Sequence, residues 1–81
     1  MTDLERAFID MGANFDIETG SYDAYFSQAP KRFQAFHKAI VGHKDFGVGK
    51  RAGTRQQFLS AEWVVLFDHG CKEVHVWERG E

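Results

Sequence analysis

The sequence predicts an α+β fold, in which two main helices pack on a small antiparallel sheet that includes a C-terminal β-hairpin. Three features of the 81 residues point there. An apolar stripe at helical spacing follows Pro30, a shorter one follows Asp3, and two runs of aromatic and β-branched residues flank Asp68-His69-Gly70-Cys71, which has turn chemistry. A chain this long makes one domain, residues 1–81, and buries only about 60–65% of the surface its unfolded form exposes, so its stability margin is thin. Eight Phe, two Trp and two Tyr offset this with much apolar area per residue.

The elements follow in order. Thr2 and Glu5 stand at capping-box spacing, the threonine oxygen accepting from the N–H at Glu5 while the glutamate reaches back. Leu4, Phe8 and Met11 then share one side of a helix from Asp3 to about Met11, closed by Gly12, with Asp3 and Glu5 complementing its dipole. Phe15-Asp16-Ile17-Glu18-Thr19 alternates and predicts a short, half-exposed strand broken by Gly20-Ser21. Residues 21–26 fit a helical turn or a second strand equally. Pro30 suits the first turn of a helix that starts near Ala29, and Phe33, Phe36, His37, Ile40 and Val41 follow at i, i+3, i+4, i+7 and i+8 until Gly42 stops it.

From Gly42 to Thr54 the chain carries four glycines in thirteen residues with no apolar period, which predicts a long loop. The stretch 54–67 admits two structures. Thr54 and Gln57 could cap a helix closed by Gly70, whereas Trp63-Val64-Val65-Leu66-Phe67 and Val74-His75-Val76-Trp77 favour a hairpin of 62–67 with 73–79, in which Trp63 and Trp77 share a face. The sheet then consists of 15–19 and this hairpin.

Charge is sorted along the chain. Residues 1–25 carry a balance of −5, residues 26–60 carry +6 and residues 61–81 carry −3, so a net charge of −2 conceals a basic middle between acidic ends. Such asymmetry predicts an anionic partner or self-association, including homo-oligomers that set acidic ends against basic middles. The candidate partner-binding residues are Lys44, Phe46, Lys50, Arg51 and Arg55 of the loop 42–55, with Phe46 placed to stack on a base, and Trp77 as an interface anchor. A nucleic-acid backbone and an acidic protein surface fit this charge equally.

Motifs for chemistry are sparse. A Walker loop needs Gly-x-x-x-x-Gly-Lys-Ser/Thr, but Lys44 stands five positions before Gly49 and Arg51 follows Lys50, so the nucleotide motif fails at two defining places. His37, His43, His69, Cys71 and His75 are metal-capable, yet their spacing matches no zinc framework, and surface histidines with a small thiol are the simpler account. His37 lies on the apolar stripe of its helix, where a hydrogen-bonded boundary histidine is expected. Cys71 beside His69 or His75 has the ingredients of a nucleophile and a base without sign of an activated thiol.

The functional expectation is therefore a small non-enzymatic binding module without catalytic residue, cofactor or metal, whose basic middle segment engages an anionic partner. The alternative is a small inhibitor or modulator of the phage or mobile-element type, which masks a site on a partner protein. The lone cysteine excludes an intramolecular disulfide, the acidic N-terminus lacks the basic region of a signal peptide, and no apolar run approaches the ~20 residues that cross a bilayer. These point to the cytoplasm and to no membrane.

Overall fold

The computed structural model describes residues 3–80. Its chain order is α1 (Asp3–Asp10), β1 (Asn14–Asp16), β2 (Ser21–Tyr25), α2 (Pro30–Val41), β3 (Lys50–Ala52), β4 (Arg55–Leu59), β5 (Trp63–Asp68) and β6 (Glu73–Glu78). All six strands join one antiparallel sheet in the order β1-β2-β6-β5-β4-β3. The architecture is strand-dominated, which overturns the expectation of two main helices on a small sheet. Helices of eight and twelve residues cover one face of a sheet that spans the molecule.

The extra strands come from segments with little local strand signal. Residues 21–25 form β2, which pairs with both β1 and β6, so the first strand meets β2 and not the C-terminal hairpin. That first strand is also shorter than 15–19, because residues 17–20 form the turn and Ile17 is left 85% exposed. The loop predicted over 42–54 ends at Gly49, after which β3 pairs with β4 through Gly53-Thr54. Gly53 takes φ +61, the left-handed conformation that the first central position of such a tight hairpin turn favours. Residues 55–59 and 63–68 are strands and not a helix, with Arg55 opposite Asp68 and Leu59 opposite Val64.

α2 begins at Pro30, with Ala29 as N-cap, and buries Phe33, Phe36 and Ile40. α1 buries Phe8, whose ring meets Phe36 edge-on at 4.9 Å. The Thr2 half of the predicted capping box lies outside the described residues. Beneath the helices, Val65, Phe67, Val74 and Val76 are fully enclosed, and Phe67 has edge-on or tilted ring contacts with Phe33, Phe36 and Phe58 at 5.6–5.7 Å. Gly49 is required by close approach, since a Cβ there would lie 2.5 Å from the Phe58 ring.

Register separates the two tryptophans. Trp77 pairs with Val64 and Trp63 with Glu78, so Trp63 lies on the helix-covered face and Trp77 on the other. The expectation that they share a face is therefore wrong by one residue of register.

Candidate functional site

No helix covers the second face of the sheet. Cross-strand pairing lays out three rows on it: Asp16, Ser21, Trp77, Val64 and Leu59; Asn14, Asp23, His75, Leu66, Gln57 and Lys50; and Tyr25, Glu73, Asp68, Arg55 and Ala52. Acidic groups lie toward β1, β2 and β6, apolar ones sit in the middle, and basic ones lie toward β4 and β3. The sorting of charge along the chain thus becomes a sorting across the sheet. His75 Nδ1 donates to Asp23 Oδ1 at 2.5 Å, with Glu73 Oε1 at 3.6 Å from its Nε2 and the Tyr25 ring edge-on at 6.2 Å. Sequence reasoning missed this group, because Asp23 and His75 meet only through the β2–β6 register.

Three of the candidate partner-binding residues, Lys50, Arg55 and Trp77, share this uncovered face. Arg51 does not: opposite Gln56, it projects to the helix side. Lys44 is exposed in the turn that follows α2. Phe46 is half-buried against the core with its ring edge-on to His43 at 5.3 Å, and both line a cleft of about 470 Å³ with Leu4, Asp45, Glu62 and Trp63. Arg55 stands 3.8 Å from Asp68, and Lys44, Lys50 and Arg51 form no ion pair among the described residues.

On the helix side, β3, β4, α2 and the β5–β6 turn bring a second polar group together. Gln56 Oε1 lies 2.9 Å from Nε2 of His37 and 2.9 Å from Nε2 of His69. The two imidazoles are 5.0 Å apart and edge-on to each other. The His69 ring is edge-on to Phe33 at 5.4 Å, and Lys72 Nζ lies 5.3 Å from the centre of the Phe33 ring while donating to the His69 carbonyl at 2.8 Å. Burial, then the charges of Arg51, His37 and Lys72, hold His69 below the ordinary imidazole range. His37 thus has the hydrogen bond expected of a boundary histidine, but its partners could not be seen in sequence.

The metal-capable residues disperse. His75 faces the uncovered side with Asp23, whereas His69 faces Gln56 on the other, and no group of three or more His, Cys, Asp or Glu suited to a metal occurs among the described residues. Asp68 Oδ1 accepts from the N–H groups of Gly70 and Cys71, which shapes the β5–β6 turn. Hydrogen bonding to the Glu73 carboxylate, then to Asp68, pushes the Cys71 thiol up to about 11. This opposes its ionisation to a nucleophile. No helix among the described residues is long and apolar enough to cross a membrane. Comparison with protein-family models, with curated proteins and with solved structures finds no match to this chain.

Proposed function

We propose that this protein is a small non-enzymatic binding module whose basic end, the loop after α2 and the β3–β4 hairpin, engages a nucleic-acid backbone. The observation that carries this reading is unneutralised charge: Lys44, Lys50 and Arg51 are exposed at one end of the sheet with no ion pair among the described residues, while the carboxylates of the uncovered face gather toward the other end. Such a dipolar layout attracts a polyanion and orients its approach. Each phosphate neutralised releases counterions, so affinity carries a signature in salt.

Fluorescence anisotropy with a labelled single-stranded oligonucleotide tests the reading. The log–log slope of affinity against salt is expected near −0.7 per phosphate contacted, and Lys50→Ala with Arg51→Ala should lower both affinity and slope while the fold persists. No binding at about 50 mM salt, or an unchanged double variant, overturns it.

A second reading, the masking of a protein partner, draws on the uncovered face. Leu59, 38% exposed, and half-buried Leu66 and Trp77 form an apolar strip there that no helix covers. If a protein docks on that strip, Trp77→Ala weakens the complex by ~2 kcal/mol or more.

A further inference from the structure

We propose that the convergence of Arg51, His37, Gln56, His69 and Lys72 on the helix side of the sheet is a seat for one phosphoryl oxyanion, bound with uptake of a proton. The seat deepens the nucleic-acid reading, on which it rests for the source of the phosphate.

Hydrogen-bond chemistry assigns the protons. Gln56 Oε1 can only accept, so the Nε2 atoms of His37 and His69, each 2.9 Å away, both carry hydrogen. In its neutral form each ring is left with a bare Nδ1. No side-chain nitrogen or oxygen among the described residues is both buried and unpartnered, and neither Nδ1 has a hydrogen-bond partner, so both reach solvent. A proton arriving on either ring must go to Nδ1, where it creates a new donor on the side of the imidazole away from Gln56. An oxyanion is the ligand that such a donor recognises, in a field to which Arg51 and Lys72 both contribute at His69.

The fixed cations are in place. Arg51 lies directly across the β3–β4 ladder from Gln56, on the same face, with its Nε donating to the Gly53 carbonyl at 3.3 Å and its terminal nitrogens left for a ligand. Lys72 is tied to the His69 carbonyl and lies over Phe33. It is also the one non-glycine among the described residues at positive φ, at +59, a conformation that glycine holds without strain. A lysine kept there carries a backbone cost, and its ammonium is the group the turn gains. The groups acting on His69 are Arg51 from β3, His37 from α2, Lys72 from its own turn, and one carboxylate, Asp68. That carboxylate is already engaged by Arg55 and by two backbone N–H groups. In the free protein burial, then the neighbouring cations, disfavour protonation of His69, and an arriving oxyanion acts the other way.

Imidazole titration by NMR tests the seat, with inorganic phosphate and a single-stranded oligonucleotide of about ten residues as separate probes. Bound phosphate is expected to raise the His69 pKa by about one unit, and affinity should increase up to about tenfold as pH falls across that interval. Arg51→Ala and Lys72→Gly should each weaken phosphate binding, and the glycine suits the turn, so a folded Lys72→Gly protein that binds normally overturns the proposal. An oligonucleotide that binds with the expected salt slope while both imidazoles titrate unchanged also overturns the seat and leaves the basic-end reading standing. If inorganic phosphate raises His69 and no oligonucleotide binds, the seat stands and the nucleic-acid reading falls.

Discussion

In β5, Val65 and Phe67 lie beneath the helices, while their neighbours Val64 and Leu66 lie on a face that no helix covers. Val64 is still only 6% exposed, beside Trp77, whereas Tyr25 at the rim of that face is 63% exposed. The histidines divide in the same way. His37 and His69 on the covered side share an amide among cations, and His75 on the uncovered side is held by carboxylates. Alternate residues of one strand thus meet different surroundings: Val65 and Phe67 are sealed beneath the helices, while Val64 and Leu66 sit on the uncovered face among the rows of charged and polar groups.

The largest effect expected from this contrast is in stability. Phe67→Ala should cost about 3–5 kcal/mol through lost burial and the cavity left behind, enough to unfold so small a domain. Trp77→Ala should cost no more than about 1–2 kcal/mol because part of its ring remains in water. Urea denaturation of both variants breaks the comparison if the two losses are alike. A smaller effect tests how tightly the covered side is packed. Gly49→Ala forces a methyl against the buried Phe58 ring and should cost about 1–3 kcal/mol, whereas an unchanged urea midpoint would show room that the structure does not contain.

The smallest effect is in pH. His69 titrates below its ordinary 6.5 in the folded protein, so between that lowered value and 6.5 the unfolded chain binds more protons. Its contribution to stability is full above pH 6.5 and is lost as pH falls through the folded value. Thermal melts from pH 7.5 downward should show this decline, and His69→Gln should flatten it. A wild-type protein that gains stability on acidification over the same range would contradict the burial and the cationic surroundings of this ring.

The sequence carried the long-period features well and the short ones poorly. α2 was legible because five apolar-face positions repeat over its twelve residues, and Pro30 and Gly42 mark its ends. β5 and β6 were legible as strands from their β-branched and aromatic residues, but not the face of each tryptophan, which depends on one residue of register across the turn at 69–72. β1 and β3 are three-residue edge strands exposed throughout, so burial imposes no alternation on them. Of the basic residues, sequence supplied the charge but not the division of Lys50 and Arg51 between faces. The amide that joins His37 to His69 was hidden because Gln56 sits in a stretch that also fits a helix.

The strand order has a kinetic consequence. β3, β4, β5 and β6 form a meander in which each strand meets the next through a short turn, so their pairing closes small loops. β2 meets β6 instead, with Ser21 opposite Trp77 and Tyr25 opposite Glu73, and α2, β3, β4 and β5 lie between them in the chain. Closing so long a segment carries more entropy loss than any turn, and contacts of high sequence separation slow folding. The β2–β6 seam is therefore expected to close late in folding, and the Asp23–His75 bond that crosses it with it.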